Sequence, residues 1–218
     1  MSSNTHVFMI RHGETDSNVG GLFHGSTDIP LNVRGERQAS LVAERVATLE
    51  HLSALHASPL MRAARTARAI AMRTGLEPRF HHGLAEMHFG DAEGLTLDGM
   101  TERYPALARE LEDVSNLQAR FPNGESRQEF HTRVRTVLDE IASQHRGERI
   151  VVVAHGGVIG SLMAQLLNEP YDWRRFPIQN CSVTHVELAN DGPVAHILND
   201  TVHLEQMSLD ELSDAVQR

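Results

Sequence analysis

Ile150-Val151-Val152-Val153-Ala154-His155-Gly156-Gly157 is the stretch on which the fold turns. Four β-branched residues in succession leave no polar face. That pattern belongs to a strand covered on both sides, hence to a central strand of a parallel sheet. The run then stops at a histidine and two glycines. The same ending occurs near the N-terminus, where Val7-Phe8-Met9-Ile10 gives way to Arg11-His12-Gly13. In open α/β sheets, ligands gather at the carboxyl ends of parallel strands, where the strand order reverses. Both histidines are therefore expected at one crevice.

Between these strands the sequence alternates in character. Residues 32–49 carry apolar positions at helical spacing behind Asn32, a good cap. Leu52–Ala57 reads as a strand. Ser58-Pro59 reads as a helix start, Ser as cap and Pro at the first position, with the helix running to Gly75. A strand is expected over 77–82, an irregular segment over 83–96 and a helical stretch over 97–114. A loop follows at Phe121–Gly124, then a long helix over 126–145, the strand 149–154 and a helix over 158–167. Late strands are expected at 182–188 and 194–198. Alternation of this kind predicts a three-layer α/β/α sandwich with a mostly parallel central sheet. One domain is expected over 1–205, with a small helical cap inserted at about 95–125. The acidic tail, 206–218, reads as a loose amphipathic helix.

The 218 residues suffice for a sizeable core. A formal net charge of −9 argues against nucleic acid or an anionic membrane as the main partner, so neither is expected, while an anionic small substrate stays open. The single cysteine, Cys181, allows no internal disulfide. With no signal-peptide pattern and no 18-residue apolar run, the chain is expected to be cytoplasmic. Cys181 is read as a buried small residue.

Arg11, His12, Arg62 and His155 together suit a phosphate. Guanidinium forks match phosphate oxygens. An imidazole near neutral pH can donate, accept or attack. Gly13 and Gly156 let backbone approach a ligand closely. No HExxH occurs and one cysteine cannot build a thiolate cluster, so no metal and no cofactor are expected. The chemistry of the residues alone singles out Arg62 weakly, since Arg65, Arg68 and Arg73 share its helix.

Arg11-His12-Gly13-Glu14-Thr15-Asp16-Ser17-Asn18 resembles the signature of the histidine phosphatase superfamily, in its phosphoglycerate mutase-like branch. His24–Leu31 with Gly35, Ser58-Pro59-Leu60 with Arg62, and Leu84-Ala85-Glu86 with Phe89-Gly90-Asp91 match further blocks. Asn123–Ser126 and Val153–Gly157 complete an ordered set over roughly residues 6 to 200. The resemblance implies a histidine-phosphatase catalytic domain. His12 is implied as the nucleophile, with Arg11, Arg62 and His155 around the phosphoryl group. Asn18, Gly25 and Gly156 are implied as further substrate contacts, and Glu86 as the general acid. The implied activity is metal-independent hydrolysis of a small phosphorylated metabolite through a phosphohistidine. A homodimer is compatible with this reading. A phosphoglycerate mutase is the alternative and a non-catalytic phospho-ligand binder a third reading. The mutase branch is similar but usually shows a tyrosine where Phe89 stands and a lysine where Leu97 stands. It also carries a longer basic insertion than the 95–122 stretch, which holds only Arg103, Arg109 and Arg120. These departures favour the phosphatase.

Overall fold

The structure is a computed structural model describing residues 4–173, 175–205 and 207. Six strands form one sheet: β1 (Thr5–Arg11), β2 (Leu52–Ala57), β3 (Pro78–Phe80), β4 (Arg149–Ala154), β5 (Val183–Ala189) and β6 (Gly192–Asp200). Their order is β3-β2-β4-β1-β5-β6. β3, β2, β4 and β1 run parallel, and β5 and β6 complete the sheet antiparallel. The last strand to join the parallel part, β4, thus lies between the first two. Its Val151, Val152 and Val153 are fully buried, as the β-branched run requires.

Period two divides the core. Val7, Met9, Ile150, Val152 and Ala154 face one side, with α6 (Arg127–Gln144) and α7 (Gly156–Leu166). Phe8, Ile10, Leu55, Ala57, Val151 and Val153 face the other, with α2 (Val33–Ala47) and α3 (Met61–Thr74). This is the expected three-layer sandwich. Each fully buried Val or Ile stabilises by roughly 1.5–3 kcal/mol before entropy is subtracted.

The cap consists of α4 (Leu97–Arg103) and α5 (Pro105–Glu112). One helix over 97–114 is expected from the sequence; Pro105 divides it, because the ring favours a first helical position and disfavours helical backbone at Tyr104. Met100 and Leu107 join the core on the α6/α7 side, and Arg127 donates to Leu111 O and Asp113 O at 2.6 Å, which fastens the cap to α6.

Other differences are local. A four-residue helix, α1 (Asp16–Val19), follows β1; its capping box pairs Thr15 with Asn18. α7 begins at Gly156, directly after His155, rather than at 158. Ser58 does not cap α3. The cap position is Leu60, and the amide of Met61 donates instead to Asp28 Oδ1 at 2.6 Å. The expected tail helix lies, apart from Met207, outside the described residues.

Candidate active site

The register of the sheet brings the site together. Arg11 pairs with Ala154 and Ala57 with Val153, so β1, β4 and β2 end side by side. The next residues, His12, His155 and Ser58, inherit that alignment through His12 N–H to Ala154 O (3.0 Å) and Ser58 N–H to Val153 O (2.9 Å). The His12 and His155 rings lie 5.0 Å apart at 60°. Both are buried.

The loop after β1 is fixed from α3 and α2. Gly13 N–H donates to Thr66 Oγ1 (3.1 Å), and Glu14 N–H to Gln38 Oε1 (2.8 Å). A Cβ on Gly13 would stand 2.4 Å from Gly35 O, so glycine is required where the two segments cross. His12 Nδ1 lies 2.7 Å from its neighbour's carbonyl, Gly13 O. Nδ1–H is therefore the donor, and Nε2 keeps its lone pair. Burial first, then Arg11 and Arg62, hold the His12 pKa well below the usual histidine value, so the ring is neutral. His155 is lowered likewise by burial, then by Arg62 and His12.

The two arginines differ. Arg62, 2 % exposed, is largely committed to protein. It donates to Gly25 O (2.8 Å), Thr27 O (3.0 Å) and His24 O (3.3 Å), and through Nε to His155 Nδ1 (3.3 Å). Those carbonyls are held in turn by Glu93, whose carboxylate accepts from the amides of Ser26 (2.9 Å) and Thr27 (2.8 Å). Arg11 donates from Nη1 to Ile178 O (2.5 Å), and its buried Nε has no partner among the described residues. An orphaned charged donor at this depth costs free energy unless an anion meets it. Gly156 lies against this guanidinium, at the first turn of α7, where helix amides favour negative charge.

Glu86 stands opposite. Its Oε2 accepts from Gly157 N–H and its Oε1 from Met87 N–H, both at 2.9 Å. A Cβ on Gly157 would sit 2.4 Å from that Oε1. Arg133 holds the Glu86 loop by donating to Gly83 O (2.9 Å), Ala85 O (2.8 Å) and Glu86 O (3.3 Å), while pairing with Glu125 (2.8 Å).

Arg11, Glu86, Gly156 and Gly157 open into a cleft of about 890 Å³. Its far wall is made by Tyr171, Trp173 and residues 176–180, joined by Thr201, Leu204 and Glu205. Burial raises the Tyr171 phenol, which stays protonated at neutral pH.

Of the sequence-predicted residues, Arg11, Glu86 and Gly156 line this cleft, and His12, His155 and Arg62 form a buried cluster with one another next to Arg11. Asn18 spends its amide oxygen on Thr15 N–H and Asn180 Nδ2 (3.1 Å each), which leaves its nitrogen as donor. Gly25 is buried beneath the site, its Cα against Met87 O and its carbonyl on Arg62. Cys181 is buried, and burial raises its thiol pKa. Four residues escaped the sequence reading: Ser58, Glu93, Arg133 and Asn180. Ser58 had a signal, since it follows a parallel strand as His12 and His155 do. Its Oγ meets His155 Nε2 at 2.8 Å. Glu93 belongs, with Gly94, to the block that carries Glu86 but had no role assigned to it; Arg133 and Asn180 act on backbone or amide groups and left no local pattern.

The family model described as histidine phosphatase superfamily (branch 1) matches residues 7–201. A "probable phosphoglycerate mutase GpmB" of Salmonella arizonae is 35% identical over 213 residues, covering 94% of this chain and 98% of its own. Among solved structures, phosphoserine phosphatase from Entamoeba histolytica in complex with 3-phosphoglyceric acid superposes with a TM-score of 0.82 at 29% identity, over 92% of this chain and 99% of that one. Mycobacterial glucosyl-3-phosphoglycerate phosphatase gives a TM-score of 0.80 at 31% identity, over 90% and 99%.

Proposed function

The chain belongs to the histidine phosphatase superfamily, branch 1, whose members are phosphatases and mutases, and on that premise we propose that it is a metal-independent phosphomonoesterase working through a phosphohistidine on His12. One observation carries the reading: a buried, neutral imidazole has its Nδ1 tied to Gly13 O, which leaves Nε2 as the nucleophilic nitrogen, and two arginines, Arg11 and Arg62, act on that ring.

In the first step His12 Nε2 attacks phosphorus. The N–P bond forms as the P–O bond to the leaving group breaks, and Glu86 delivers a proton to the departing alkoxide. Arg11 takes the phosphoryl oxygens with its unpartnered Nε and the helix amides behind Gly156. Arg62 orients His155 and adds charge from below. Donors of this kind, aimed at developing charge, are each worth about 10²–10³ in rate. Asn18 contributes its amide nitrogen. In the second step Glu86 takes a proton from water, whose oxygen attacks phosphorus, and the N–P bond breaks to release phosphate and restore neutral His12.

The substrate class is a small phosphorylated metabolite. The names of the relatives, with phosphoserine, glucosyl-3-phosphoglycerate and phosphoglycerate in them, support that class. The GpmB name favours a mutase as the second reading. Against it, Phe89 packs at 5.0 Å on both Phe23 and Phe121 and brings no hydroxyl to the cleft. Leu97 is exposed and brings no charge. The test is a panel of these esters in EDTA, with rapid-quench trapping of an acid-labile, base-stable phosphoenzyme. Free phosphate as product is expected. Loss of activity in EDTA with recovery on a divalent ion overturns the mechanism, and primer-dependent isomerisation of 3-phosphoglycerate replaces hydrolase by mutase.

A further inference from the structure

At the opposite end of β1 three more histidines meet. His6 is the second residue of that strand and half-buried, His185 lies on β5 and His196 on β6. The register puts Phe8 beside His185 and His6 beside Glu187, so these side chains share one face of the sheet. One ligand nitrogen from each of the three histidines lies within 4.8 Å of the other two. His6 Nδ1 and His185 Nε2 are 3.1 Å apart. Tetrahedral zinc with Zn–N bonds of about 2.0–2.1 Å needs nitrogens about 3.3 Å apart, so this pair already has close to the required spacing. Phe8 stacks on the His185 ring at 4.2 Å, and His196 stacks on the other neighbouring side at 4.8 Å, which fixes the middle ligand. Glu187 accepts from His196 Nε2 at 2.7 Å and from Asn4. Carboxylates in that relation to imidazoles are the usual second tier of a metal site.

We propose that His6, His185 and His196, with the Glu187 carboxylate, form a surface site for a single zinc-class divalent cation, separate from the phosphate pocket. Imidazole donors select Zn²⁺, Cu²⁺ or Ni²⁺ over Mg²⁺ and Ca²⁺. The site is open, because His196 is 40% exposed and β6 is an edge strand. The facing cation, Arg149, lies over the Phe8 ring at 5.1 Å, and Glu187 offsets it. The site begins at His6, six residues before His12, which directly follows the same strand, about 20 Å away at strand rise. It stands whether or not His12 is the nucleophile.

The assay is calorimetric titration of the purified protein with Zn²⁺, and with Co²⁺ followed by its visible absorption. One ion per chain, a tetrahedral Co²⁺ spectrum and a raised Tm are expected. His6→Gln/His196→Gln replaces the two more accessible ligands and keeps the buried core intact. It should weaken binding at least tenfold and keep metal-free turnover and far-UV dichroism unchanged, whereas His12→Ala should bind Zn²⁺ as the parent does. The proposal fails if the parent protein binds no Zn²⁺ at micromolar concentrations. It fails equally if the double variant binds as tightly as the parent, or if His12→Ala loses the ion.

Discussion

The two ends of β1 each present a histidine beside histidines from other strands, and they could hardly differ more. At the C-terminal end, His12 is buried between arginines with His155 5.0 Å away. At the N-terminal end, His6 is half-exposed among imidazoles and a carboxylate. An imidazole carries no role of its own. Beside guanidiniums it is neutral and faces anions; beside a carboxylate and other imidazoles it faces cations. Depth adds to this, because the strand end that meets two helical layers excludes water, and the end at the open edge does not.

The largest break in this contrast is expected from His12→Ala. Phosphoenzyme and turnover should both vanish, with a loss of roughly 10⁴-fold or more, as for other covalent nucleophiles. Rapid-quench labelling checks it; label retained on the variant defeats the assignment. Next comes Glu86→Gln. A neutral amide keeps the Gly157 contact but cannot protonate, so hydrolysis of an alkyl phosphate should fall about 10²–10⁴-fold and that of a nitrophenyl ester far less. Equal losses on the two esters argue that Glu86 only shapes the pocket.

Smaller still is Ser58→Ala. It removes the 2.8 Å partner of His155 Nε2 and leaves the ring held by Arg62 alone. One hydrogen bond of about 1 kcal/mol corresponds to a five- to tenfold drop in kcat, with little change for Ser58→Thr. At the far end, His6→Gln should leave kcat and KM unchanged. An effect there on hydrolysis in EDTA would mean the two ends communicate.

Stability should show the same burial. His12 and His155 are held well below the usual value, and His56 and His131 at about 4, in each case mainly by burial. The unfolded chain then binds more protons below pH 6.5, so stability is full above that pH and is lost as pH falls toward 4. Thermal melts between pH 8 and pH 5 should show Tm flat at first and then descending. A Tm that rises on acidification contradicts the neutral buried rings.

Much of the catalytic end was legible because it is built from strand ends. The runs before His12 and His155 announce buried strands, and parallel pairing then forces the two rings together. The far end was illegible for the same reason reversed. His6, His185 and His196 sit on three strands with no local spacing, and only the antiparallel register of β1, β5 and β6 unites them. The cleft wall of Tyr171, Trp173 and residues 176–180 was opaque too, because an irregular segment has no period to read. Ser58 was misread through propensity: Ser-Pro is a good helix opening, and the tertiary partner His155 outweighed it.

The position of β4 between β1 and β2 has a consequence for the newborn chain. Translation delivers the first two strands, the nucleophile and Arg62 early, yet β1 and β2 are not partners. The strand that joins them emerges some 90 residues after β2 ends, which at about 5–20 residues per second is a wait on the order of 5–20 s. Throughout it, two apolar strand edges stand open, and contacts so distant in sequence close slowly. During that wait the reactive imidazole of the growing chain has no pocket, which forms only when the last parallel strand has docked. Chaperone demand, rather than final stability, is where a lesion in residues 149–154 should first be felt.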